Sequence, residues 1–190
     1  MSSTKSSASP RKLGEREVAE AVKRLEAFAS EKEDMSVEFS TPLDAEQVQK
    51  LEAKYKLKLP PSYVHFLRTH GTFTVMYGGA ELIGMERPDY LHVAAPESSD
   101  AVDGDDPDVE EAIKEALFFQ RIDSDSVENF WCFNPRDRSP EGELGVVAYY
   151  HDETFALPQL LGGEDAERFR DFSTHIVEVI DEFIETYGEA

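Results

Sequence analysis

The stretch Leu51–Gly71, LEAKYKLKLPPSYVHFLRTHG, decides the fold. Pro60-Pro61 divides two helical patterns, because proline cannot continue a helix but suits the first turn of a new one. Upstream, Val48, Leu51 and Tyr55 form one apolar stripe. Asp44 is placed to cap that helix, with Gln47 at the capping-box position. Downstream, Tyr63, Phe66 and Leu67 share a face, and Gly71 provides the left-handed stop that helices favour. The pattern therefore predicts helix, Pro-Pro break, short helix, glycine stop.

Toward the N-terminus, Val18, Ala21, Val22, Leu25 and Phe28 keep a helical spacing, predicting a helix over residues 15–33. Residues 1–14, rich in Ser, Lys and Gly, read as a disordered tail. Toward the C-terminus the texture turns to β-branched and aromatic runs. Strands are expected at 72–77, 81–84, 117–122 and 129–133. A hairpin is expected from 145–150 and 153–157 around His151-Asp152. Phe169, Phe172, Ile176, Val179, Ile180 and Phe183 predict a closing helix over 164–186. Helices, then strands, then a helix argue for an α+β fold rather than a βαβ repeat. The expectation is N-terminal helices, a central antiparallel sheet of about four to six strands, and a closing C-terminal helix. Residues 15–190 then form a single domain.

The composition is unusual in charge. Forty acids face 19 Lys plus Arg, a formal net charge of −21. Such a chain repels nucleic acid and anionic membranes, since phosphate binding needs Lys and Arg. Its field attracts a cationic partner. There is one cysteine, Cys132, so no intramolecular disulfide can form. The N-terminus lacks the apolar run of a signal peptide, and no stretch reaches the roughly 18 apolar residues of a membrane span. A soluble, cytoplasmic protein is expected.

The densest acidic stretch, Glu97–Glu111, contains no Lys or Arg. It does not match a calcium loop: counted from Asp103, Asp108 stands where a Gly is needed and Lys114 where a Glu is needed. It reads either as a solvated loop leading into a helix or as a docking surface for a basic protein. The histidines are not spaced for zinc, and neither HExxH nor CxxC occurs. Cys132, between Trp131 and Phe133, reads as a packed small hydrophobe. Gly78-Gly79 and Gly162-Gly163 read as turns, not phosphate loops. One of Tyr149 and Tyr150 is expected to face out, because alternate strand residues point to opposite faces. No metal, cofactor or catalytic set is expected. The candidate partner-binding residues are Asp100, Asp103, Asp105, Asp106, Asp108, Glu110, Glu111 and Tyr149.

The series LE, Tyr55, Leu59-Pro60, Tyr63, Phe66-Leu67 and Gly71 resembles the opening signature of the SUKH superfamily, the yeast cell-wall-assembly-regulator-like immunity family. The resemblance extends over about residues 40–187, leaving the helix at 15–33 and the acidic segment at 97–116 as additions. The resemblance implies a non-enzymatic protein. Bacterial members are similar to immunity proteins that neutralise toxins, often nucleases or deaminases. Fungal members are similar to regulators and scaffolds. The expected partner is a basic protein toxin encoded by the adjacent gene. The alternative is an intracellular scaffold or regulatory module that binds proteins or peptides.

Overall fold

The computed structural model describes residues 13–91, 107–122, 129–149 and 170–188. Residues 1–12 of the expected 1–14 tail, the second arm of the 145–157 hairpin, and residues 164–169 of the expected closing helix lie outside them. So do Asp100, Asp103, Asp105 and Asp106.

The central motif forms as its sequence dictates. Helix α2 (Ala45–Tyr55) is capped reciprocally: the Gln47 amide donates to Asp44 Oδ1 and the Asp44 amide to Gln47 Oε1, each at 2.8 Å. Helix α3 (Pro61–Thr69) has Pro61 at its first position. The carboxylate of Glu143 covers its N-terminus, accepting from the Ser62 amide at 3.0 Å and the Ser62 hydroxyl at 2.6 Å. Two donors of the first turn are thereby satisfied from a distant loop. Gly71 ends the helix at φ +81, and a Cβ there would stand 2.4 Å from the Ser40 carbonyl oxygen. Only glycine fits, on both backbone and steric grounds.

Helix α1 (Glu15–Ser30) precedes strand β1 (Met35–Phe39), which lies between two helices and carries no strand expectation. Strand β1 is held by antiparallel pairing to β2 (Phe73–Tyr77), with Val37 opposite Val75. Strand β3 (Ala80–Gly84) completes a three-stranded sheet. After helix α4 (Pro107–Glu115), strands β4 (Leu117–Arg121), β5 (Phe130–Arg138) and β6 (Leu144–Tyr149) form a second. Among the described residues, a single bridge, Met85 to Gln120, links the two sheets, with the Glu86 amide donating to the Phe119 carbonyl at 2.7 Å. The six strands among them stand as two antiparallel sheets of three, where one central sheet was expected.

The closing helix α5 (Phe172–Gly188) starts later than its apolar spacing suggests. Asp171 caps it, its Oδ1 accepting from the Thr174 amide at 2.9 Å. A polar cap takes precedence over apolar periodicity because it satisfies first-turn donors.

The second sheet is apolar on both faces. Trp131 and Phe133 look toward α3 and α5, whereas Phe130 and Cys132 look toward α4, the period of two expected of a strand. The main core centres on Tyr63, which is fully buried. Its ring lies 5.0 Å from Phe133 and 5.1 Å from Phe172. Helix α1 joins this core through Val22 and Leu25, so it is an integral layer. The smaller cluster, beneath Ala112 of α4 and Ala116 just beyond it, holds Phe118, Phe130, Cys132 and Tyr149.

Candidate binding groove

The acids of α5 form one stripe. Glu178, Asp181, Glu182 and Glu185 fall at i, i+3, i+4 and i+7, on a single side of the helix. They border a groove of about 840 Å³ between α5 and the β3–β4 junction. Ile83, Trp131, Val179 and Tyr187 supply its apolar lining.

A β-bulge builds the inner end of this groove. Phe118 opposes Cys132, yet Gln120 opposes Trp131, so one extra residue stands in β4. The slip puts Gln120 on the same face as Trp131, toward α5. There the Oε1 of Gln120 meets Nε2 of His175 at 2.7 Å. Both side chains are buried, and the His175 ring packs 4.8 Å from Trp131. Burial holds the His175 imidazole well below its ordinary pKa, and the Arg170 guanidinium pushes the same way. A neutral ring with Nε2 donating to Gln120 leaves Nδ1 as an acceptor, and that atom has no hydrogen-bond partner.

Arg170 is the cation inside this acidic setting. Its guanidinium lies over Trp131 at 4.9 Å and pairs with Glu178 at 2.8 Å. Burial lowers its pKa, while Glu178 and Glu182 oppose that shift. Its Nε is buried without a partner. Asp181 pairs with Arg24 of α1. Among the described residues, Glu182 and Glu185 enter no ion pair, and the last turn of α5 has no basic side chain.

The expected partner-binding residues fare differently. Asp108 is exposed on α4. Glu110 lies in α4, but its side chain is outside the described set. Glu111 folds back on β5, 3.6 Å from Arg136, whose Nε also meets Glu115 at 2.7 Å. Tyr149 is a correction. It is fully buried, with its ring edge-on to Phe118 at 5.5 Å, and offers no surface to a partner. Strand β6 has apolar material on both sides, so alternation does not bring this aromatic to solvent.

Other candidates resolve in the same way. Cys132 is fully buried, and burial pushes its thiol pKa up. It makes a 3.6 Å contact with the Val147 carbonyl. His70, at the end of α3, is half-buried between Phe39 and Phe66. Burial lowers its pKa, against the pull of Glu26. Among the described residues, no group of three His, Cys, Asp or Glu side chains is placed to hold a metal ion. No helix among them is long and apolar enough to cross a membrane.

The buried pair Gln120 and His175, behind the groove, escapes sequence reasoning, since a bulge leaves no residue signature. The stripe on α5 does have one, in its i, i+3, i+4, i+7 spacing.

Two short helices around a Pro-Pro break, backed by antiparallel strands and closed by a long helix, define the class as a small α+β domain. The sequence model of the SMI1 / KNR4 family (SUKH-1) matches residues 42–184, and the chain belongs to that family. The match begins just before α2 and leaves α1 outside. No curated protein sequence matches the chain.

Proposed function

We propose that this chain is a non-enzymatic immunity protein that captures a cationic toxin of the nuclease type and occludes it. The observation that carries the reading is the charge: −21 in 190 residues, in a member of a family of binding domains. A nuclease needs a basic surface to grip phosphates. An acidic surface of complementary shape covers that grip and denies it to nucleic acid. Long-range attraction accelerates the encounter, while close contacts set how long the complex lasts. A standard interface buries about 1,600 Å² in total, which a domain of this size can supply.

The test is co-purification with the basic protein encoded by the adjacent gene, followed by association kinetics at increasing salt. The expected result is a stoichiometric complex that blocks the toxin's activity, with an association rate that falls steeply as salt rises. A complex indifferent to salt, or none at low salt, defeats the reading.

A further inference from the structure

The acidic stripe of α5 works against the helix that carries it. Glu178 and Glu182, and Asp181 and Glu185, are like-charge pairs one turn apart, which destabilise a helix. Carboxylates near a helix C-terminus also oppose the macrodipole. Acids placed where they cost stability, along an open groove, signal a surface kept for binding.

The groove already displays how it treats a cation. Arg170 stacks on Trp131 and pairs with Glu178, so an aromatic face and a carboxylate together hold a guanidinium. Farther along, Glu182 and Glu185 line the same groove as Tyr187, and neither forms an ion pair among the described residues. Carboxylates thus continue along the groove beyond the position where Arg170 is held. The geometry points to a groove that receives an extended, arginine-bearing segment of a protein partner, laid along α5. This rests on the cationic-capture reading above and names the segment that reading leaves open.

The side chain, more than a fixed register, defines the segment: Glu182 and Glu185 are three residues apart and rise by only about 4.5 Å along the helix. Arginine suits the site better than lysine, because a planar guanidinium stacks on an aromatic ring while pairing with a carboxylate.

Trp131 is the sole tryptophan of the chain and lines the groove, so its emission reports occupancy at this place. The full chain at low salt is titrated with a short peptide of arginine and serine, and with one in which every arginine is replaced by lysine. The arginine peptide is expected to change Trp131 emission and to bind more tightly. The double variant Glu182→Gln/Glu185→Gln should weaken it about ten-fold, the combined effect of two rim contacts. The charge-matched variant Glu33→Gln/Glu38→Gln, at exposed acids outside the groove, should stay within about two-fold. No emission change, equal loss in both variants, or equal affinity for both peptides overturns the inference. A toxin complex unaffected by Glu182→Gln/Glu185→Gln also overturns the groove while leaving capture standing. Failure of the unsubstituted chain to form any toxin complex defeats capture instead, whatever the peptide does.

Discussion

Helices α4 and α5 both carry rows of acids, and the two rows have different fates. On α4, Glu111 and Glu115 converge on Arg136 of β5, so their charge helps hold the helix over the smaller core cluster. On α5, Arg170 and Arg24 engage Glu178 and Asp181, but the stripe continues beyond them along a groove. Acid content alone does not distinguish these cases. The difference is whether the fold plants an arginine opposite the row. Where it does, charge anchors; where the acids outnumber the cations, charge remains for a partner.

The widest gap between the two helices should appear in stability. Phe172→Ala, at the base of α5 in the main core, is expected to cost about 3–5 kcal/mol. Ile113→Ala, half-buried on α4, should cost about 1 kcal/mol. Urea unfolding of both variants measures the difference, and equal costs would erase the contrast.

Acidity probes the inner face of α5. Unfolded His175 takes up a proton near its ordinary pKa of 6.5, whereas the folded, buried ring does not. Protons therefore favour the unfolded chain. Stability is fully present above about pH 6.5 and should fall below it by up to about 1.4 kcal/mol per pH unit. Denaturation midpoints between about pH 7.5 and 5 will show this, and His175→Gln should flatten the curve over that window.

Arg136→Ala should destabilise α4 by about 0.5–1 kcal/mol, since the arginine is partly exposed and its pairs are screened. The loss should shrink in added salt. The smallest effect has the opposite sign. Glu182→Gln/Glu185→Gln relieves like-charge repulsion on α5 and should raise stability by about 0.5 kcal/mol. Reduced peptide affinity from a slightly more stable protein separates binding from folding; a destabilised variant would show that these acids support the helix after all.

Much of the fold can be read locally. Asp44, Gln47, Pro61 and Gly71 act within a few residues of their own backbone, so the boundaries of α2 and α3 follow from the sequence. The stripes of α1 and α5 are visible for the same reason. Strand β1 is not, because MSVEF becomes a strand only through pairing with residues 73–77. The division into two sheets depends on how few hydrogen bonds join β3 to β4, which no single segment encodes. The site is less legible still. The sequence shows acids and a tryptophan, but the bulge that turns Gln120 toward His175 is a property of two strands in register. The misplacement of Tyr149 has the same origin: alternation states that neighbours face opposite ways, not which face is covered.

By itself, the sequence determined the charge, the helix–Pro-Pro–helix–glycine motif and the family, because these depend on composition and short-range backbone chemistry. Only the tertiary structure decided which acids meet an arginine, which aromatics are covered, and where a groove remains. Those outcomes arise from contacts between residues far apart in the chain, such as Glu111 with Arg136, Arg24 with Asp181 and Gln120 with His175. Their distances are set by packing, which the order of residues does not display.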